Sequence, residues 1–466
     1  MSRVTPPQEL AERALAASTA DDCIVLAGQS NTVNLRWANN TLTTNGVTRT
    51  TDLTVISVVR SADGPRVASL SRSGVSADDV EALVAESAAV AADSPVADDA
   101  AELIADRAGA DWSDPPAETS IGDFAGVTHG LAAAFDAAAS ADEGRYGYAE
   151  HDVSTRYLAS SRGLRLRHVQ PQARVELTGR AGDGSRSAWA GVSTGSIRDV
   201  DIAALDAQVA QRLAWGQKRV DLDAGHYDTV LPPSAVADLL IYVYWTMGAL
   251  DAHDGQSVFS KPGGGTRVGE RLTDVPLTLR SDPNMPGQRC EPFLAAGASS
   301  RESSVFDNGL ELQPTNWIDN GTLAALLQTR HSAQITGLPM TPVIDNLELV
   351  GAGGADSGAD TATLIGDMER GLLLTCLWYI REVDPQTLLL TGLTRDGVFL
   401  VEGGEVVAGV NNFRFNESPV GMLRRVVATG GTEHTLAREW GDYFTRTRMP
   451  ALRIADFNMS SVSQAR

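Results

Sequence analysis

Tight-turn dipeptides recur through the carboxy-terminal half of this chain. Asn308-Gly309, Asn320-Gly321, Asp396-Gly397 and Gly403-Gly404 cut it into short apolar runs such as LLLTGLT, GVFLVE and EVVAGV. Asn-Gly and Asp-Gly accept positive φ at the centre of a two-residue turn, so they set the flanking runs antiparallel. Helix-like stretches interrupt the pattern at TATLIGDMERGL (361–372) and SPVGMLRRVVATGG (418–431). The segment 223–466 is therefore expected to form a β-rich domain, barrel-like or sandwich. One helix inside it stands out, because LPPSAVADLLIYVYW (231–245) is apolar on every side after two prolines that suit a helix start.

The amino-terminal half mixes both periods. Gln8 to Ala17 carries apolar residues three and four apart, predicting a helix. CIVLAG, NTVNLRWANN, TDLTVISVVR and PRVASLS read as strands, and Ser76 precedes an acidic-started helix through about Ala92. The order recurs about 120 residues on: RSADGPRVASLSRSG (60–74) resembles RAGDGSRSAWAGVSTG (180–195), and DVDIAALDAQVAQRLAW follows as the second helix. Most identities are turn residues, which any two Asp-Gly hairpins share, so a structural duplication is one reading and coincidence the other. The expected fold class is α+β, with a first unit at 1–95, an acidic Ala/Pro-rich linker at 96–120, a second unit at 121–222 and the β-rich domain after it.

Charge and cysteines narrow the function. With 59 acidic against 38 basic residues the formal charge is -21, which opposes binding to nucleic acid or anionic lipid. Cys23, Cys290 and Cys376 lie far apart with no CxxC spacing, which fits buried thiols in a reducing compartment. The start MSRVTPPQEL lacks an apolar signal segment, and LLIYVYWTMGAL (239–250) is too short to span a bilayer. A cytoplasmic protein without membrane contact is expected.

Familiar catalytic patterns are missing. There is no GxSxG, and KPGGGTRVGE (261–270) has glycines but no Lys-Ser or Lys-Thr for phosphate and magnesium, so it reads as a turn. The histidines, His129, His151, His168, His226, His253, His331 and His434, are scattered singly. His253-Asp254 and Glu433-His434 could be orienting pairs, but a solvent-exposed loop pair is the stronger reading for each. Asp356 and Asp360 in GAGGADSGAD could face a cation, but no ordered ligand ladder accompanies them.

Several segments together carry a resemblance: PLTLRSDPNMPG, SSVFDNGLELQPTNWIDNGTLAALLQTRHSA, and TLLLTGLTRDGVFLVEGGEVVAGVNNFRFNESPVGML. In order and spacing they resemble the TldD/PmbA family of metallopeptidase-related proteins, and NTVNLRWANNTLTTNGVTRTTDLTVISVV is similar to its first domain. GVNNFRFNESP and the ending MPALRIADFNMSS look like the PmbA kind of subunit, also called TldE. The resemblance implies that the catalytic kind, TldD, carries His-Glu-x-x-x-His on the helix after a short apolar strand, with a late cysteine as third zinc ligand. Here that helix is TVLPPSAVADLL, and the slots fall on Pro233, Ser234 and Asp238. Proline has no donor atom, serine is no carboxylate base, and no cysteine lies beyond Cys376.

The implied function is that of a non-catalytic subunit. It would pair with a TldD-like partner holding the zinc, bind no cofactor itself, and complete a cavity for unfolded or extended peptides. Asn411, Asn412, Phe413, Arg414, Phe415 and Asn416 are the candidates for peptide or interface contact, because Asn, Arg and Phe are mixed there within an aliphatic region. A half-buried strand would give the same alternation. Two rival readings are a regulatory protein-binding module, as the family's older name of DNA-gyrase modulator suggests, and a peptidase with ligands of another type.

Overall fold

The computed structural model describes residues 5–182, 184–395 and 397–463; the Asp of two of the Asp-Gly turns, Asp183 and Asp396, lies outside them. The amino-terminal half is built twice. The first copy runs α1 (Pro7–Ala17), β1 (Asp22–Ala38), β2 (Thr41–Ser61), β3 (Gly64–Ser73) and α2 (Val80–Asp93). The second runs α3 (Ala125–Ser140), β4 (Glu143–Ser160), β5 (Arg165–Ala181), β6 (Arg186–Thr194) and α4 (Ile202–Trp215). The strands join in one antiparallel sheet of order β3-β2-β1-β4-β5-β6, in which β1 and β4 pair from Ile24↔Ser160 to Trp37↔Gly147. A pseudo-twofold axis therefore passes between Asn31/Thr32 and Asp152/Val153, and the duplication suggested by the two hairpins is real.

CIVLAG and NTVNLRWANN, read as two runs, are one continuous strand. The intervening Gly28 does not break it. A side chain there would meet the Asp52 carboxylate of the neighbouring strand at 2.6 Å, so the glycine serves close approach within an unbroken ladder. Segment 96–120 lies along the sheet: the amide of Asp106 bonds to Arg162, that of Gly109 to Arg165, and Leu103 and Ile104 pack beside Ile24 and Phe306.

Alternation along β1 assigns its two faces. Val25 and Ala27 pack with α1 and α2 residues, Val33, Leu35 and Trp37 with those of α3 and α4, so all four helices cover one face. Ile24 and Leu26 point the other way, onto Phe293, Val305 and Phe306 of the carboxy-terminal domain. That domain is a second sheet whose hub is the long strand Thr447–Val462. It pairs antiparallel with β8 (Gly225–Leu231), the strand that follows the short β7 (Arg219–Val220). It pairs parallel with Leu347–Val350 and antiparallel with Phe413–Glu417 and Val426–Thr435. The predicted buried helix is α5 (Pro233–Trp245), set in the domain's largest apolar cluster. The two other predicted helices shorten to Thr361–Gly366 and Pro419–Met422, and strands take over where the β-branched and leucine runs begin.

Candidate functional site

Pro232 caps α5 and Pro233 occupies its first turn, where a missing N–H removes no hydrogen bond. Strand β8 delivers the helix straight into the core, and Pro233, Ser234 and Asp238 are all buried. Asp238 is fully enclosed. Its Oδ1 accepts the amide of Glu439 at 2.8 Å, its main-chain carbonyl accepts Trp440 Nε1–H at 2.8 Å, and its Oδ2 has no partner. Burial pushes this carboxyl well above the usual carboxylate range, against the pull of the Glu439 amide. Glu439 in turn accepts the amides of Tyr379 at 3.0 Å and Ile380 at 3.1 Å. Trp440 stacks edge-on against Trp245 at 5.1 Å. Through these contacts the helix anchors the segment around Glu439.

That donor set does not suit zinc. Ser234 offers a neutral hydroxyl, Pro233 offers nothing, and among the described residues no three His, Cys, Asp or Glu side chains converge. The cysteine thiols are buried, and burial pushes Cys23 up to about 11 and Cys290 up to about 12.

The anchored segment runs directly into Gly441, Asp442 and Tyr443, which wall a cavity of ≈ 630 Å³ between the six-stranded sheet and the carboxy-terminal domain. Its other wall is the helix-free face of the sheet near the pseudo-twofold axis, including Gly28, Asp52, Asp152 and Gln170. Charged bridges cross it. Arg156 meets Glu291 at 2.6 Å, Arg174 meets Asp442, and Arg446 donates to Gln172 at 2.9 Å while pairing with Asp345. Burial raises the Asp52 and Glu291 carboxyls, and for Glu291 the Arg156 guanidinium only partly opposes it. The cavity is thus two-sided, mixes these charged groups with apolar ones such as Phe293 and Leu312, and is of a size that takes a short segment of extended chain.

Apart from His168, which the sequence gives only as one of the scattered histidines, none of the residues lining this cavity was singled out there. A signal was present: His168, Gln170, Gln172 and Arg174 alternate with the buried Ala173 and Val175 along β5, a strand with one apolar face and one face of large polar groups. Such a strand is ordinarily solvated on its polar side, and only the tertiary fold shows a second wall opposite it.

The segment 411–416 lies elsewhere. Phe413 and Phe415 are core residues of the strand Phe413–Glu417, and Arg414 between them is exposed. Asn411 accepts the amide of Leu222 at 2.7 Å, Asn412 accepts from Thr394, and Asn416 Oδ1 is buried without a partner. Asn411 and Asn412 line a second cavity. The isolated histidines stay apart: His434 bonds Gln288 at 3.0 Å, and His151 bonds Thr119 at 2.7 Å. Asp254 pairs with Arg301, and Asp360 caps the helix that follows it.

Residues 224–461 match the PmbA/TldA metallopeptidase C-terminal domain, and residues 110–216 match the central domain of the same family. The chain belongs to the PmbA/TldD family. Among solved structures it is similar to TldE from Thermococcus kodakarensis, with a TM-score of 0.77 and 14% identity over 97% of this chain and 99% of that one. Two structures named for modulation of DNA gyrase are also similar. The one from Bacteroides thetaiotaomicron gives a TM-score of 0.76 at 16% identity, covering 98% of each chain. The one from Thermotoga maritima gives 0.74 at 15%, covering 97% of this chain and 99% of that one. At such identities the likeness establishes the fold, over essentially the whole PmbA/TldD chain. No curated protein matches it. No helix among the described residues is long and apolar enough to cross a membrane.

Proposed function

We propose that this chain is the non-catalytic, TldE-type subunit of a two-subunit zinc peptidase. The observation that carries the reading is the fate of α5. The family's ligand slots fall on Pro233, Ser234 and Asp238, and the one carboxylate among them is spent inside the core, holding the Glu439–Trp440 turn. A side chain so enclosed cannot activate a water for attack on a peptide. What the helix does instead is fix one wall of the ≈ 630 Å³ cavity. The chain therefore contributes binding surface for extended peptide, and a TldD-like partner contributes the zinc and the bond cleavage. The likeness to TldE from Thermococcus kodakarensis supports the assignment. Exposed Arg414, flanked by two buried phenylalanines, is a rigidly mounted contact for that partner. Three free, buried cysteines support a reducing, cytoplasmic setting.

Co-expression with a TldD-like chain tests the pairing. A single species with the summed mass should elute on size exclusion, with about one zinc per pair and well below one in this chain alone. Separate elution of the two chains, or a full zinc equivalent in this chain by itself, would contradict the reading.

A further inference from the structure

Strand β2 outruns its outer neighbour. β3 pairs with it from Ser61↔Gly64 only as far as Asp52↔Ser73, whereas β1 stays paired with it down to Thr41. Residues 41–50 therefore have a sheet partner on one side only, over about 33 Å. All of them except Gly46 are exposed, so both faces of this arm are open as well as its edge. The amide of Gly74 donates to the Thr51 carbonyl at 2.7 Å, which turns the main-chain groups of Thr51 away from β1. Main-chain direction alternates along a strand, so Asn45, Val47 and Arg49 present their N–H and C=O groups on the same outer edge. Among the described residues none bonds to them there.

The step related to it by the pseudo-twofold axis is closed. On β5, the length before β6 begins is met from within the chain: the Arg165 amide donates to the Arg107 carbonyl at 2.9 Å, the Gly109 amide donates to the Arg165 carbonyl at 2.7 Å, and Gln170 donates to the Arg289 carbonyl at 3.1 Å. The open arm also lacks the devices that blunt an edge. It holds no proline and no lysine, and its single charge, Arg49, is taken up by Glu118 and by Asn31 at 2.9 Å. Threonines and a valine make up most of the rest, residue types that favour strand pairing.

We propose that this edge pairs with the same edge of a second copy of the chain, antiparallel about a twofold axis at Val47. The contact goes beyond the peptidase reading and needs no TldD-like chain. Charge favours this occupant: two copies of net charge -21 repel, and an arm whose one cation is already neutralised is a place where they can meet. An unfolded peptide could make the same main-chain bonds, but it would lose the backbone freedom of every residue it ordered, whereas the strand of a second copy is already held by β1. The register follows from the side chains. With Val47 opposite Val47, Asn45 stands opposite Arg49, no like charges meet, and a valine that is 69% exposed is covered by its counterpart. An axis at Gly46 would leave each valine opposite Asn45.

Sedimentation of the full chain from about 1 to 100 µM tests the proposal, a range that suits a contact of small area. A reversible monomer–dimer equilibrium is expected. Val47→Pro removes an outward N–H that β1 does not use, and Val47→Lys sets two ammonium groups against each other at the axis. Each should weaken the dimer at least about tenfold with the circular dichroism spectrum unchanged. Val47→Cys should cross-link to its own copy under mild oxidation, because the native thiols are buried. A monomer throughout the range overturns the proposal, as does a dimer indifferent to both Val47→Pro and Val47→Lys. Protection of the arm's amides from hydrogen exchange by an added unfolded peptide in place of dimerisation, or cross-linking of Val47→Cys to a TldD-like chain in preference to its own copy, would assign the edge to another occupant and overturn it too.

Discussion

Replacing Glu348 by alanine is expected to destabilise the carboxy-terminal domain by about 3–5 kcal/mol, the largest effect of any single substitution considered for this protein. Glu348 lies at the centre of the strand Leu347–Val350, and its side chain is wholly buried. In the ladder it stands opposite Arg280 of the strand Thr278–Ser281 on one side and Arg448 of the hub strand on the other. Both guanidinium groups reach it at 2.6 Å. Removing the carboxylate leaves two cations facing each other across a vacated site, and Arg448 Nε is already buried without a partner. Arg280→Ala should be milder, because Arg448 still neutralises the glutamate and Arg280 is half exposed. Urea unfolding of the three proteins measures this; equal midpoints for wild type and Glu348→Ala would refute the triad's role.

Asp238 gives the second large effect, with a sign set by pH. In the unfolded chain its carboxyl ionises near the ordinary 3.8, while burial keeps it protonated to higher pH in the folded protein. The folded state thus holds a proton that the unfolded state has released. Stability from this group is complete below about pH 4 and falls as pH rises toward the folded value, by at most about 1.4 kcal/mol per pH unit. Asp238→Asn keeps the acceptor for the Glu439 amide and removes the ionisation, so its advantage over wild type should widen from pH 4 to pH 7. Asp238→Ala strands that amide and should fall below the Asn variant by about 1–3 kcal/mol at every pH. Thermal melts across this range decide it. A constant gap between Asp and Asn would mean that the carboxyl is ionised in the fold.

What the sequence disclosed follows from which interactions are local. The helix starts at Asp201 and Ser76 are legible because capping acts within three residues: Asp201 accepts the Ala204 amide, and the Ser76 amide donates to the Asp79 carboxylate. The paired hairpins announced the duplication because turn chemistry is equally local. Pro233, Ser234 and Asp238 could be placed on a buried helix because that stretch is apolar all round. The cavity was another matter, since Arg174 and Asp442 are 268 positions apart and neither belongs to a local pattern. Glu348 shows the same limit. Leucines on either side suggest an ordinary strand with its polar face in water, but here that face is covered too, and the arginines that make burial possible come from distant strands.

The central claim is that this chain binds peptide and leaves the chemistry to its partner. One unfolded peptide, incubated with this chain, with a TldD-like chain and with both together, tests it most directly. The account predicts no cleavage by this chain alone and chelator-sensitive cleavage by the pair. That cleavage should be lost when the partner's histidines are replaced and kept when Asp238 is replaced by Asn. Chelator-sensitive cleavage by this chain alone, in a preparation shown by mass spectrometry to contain no partner, would contradict it.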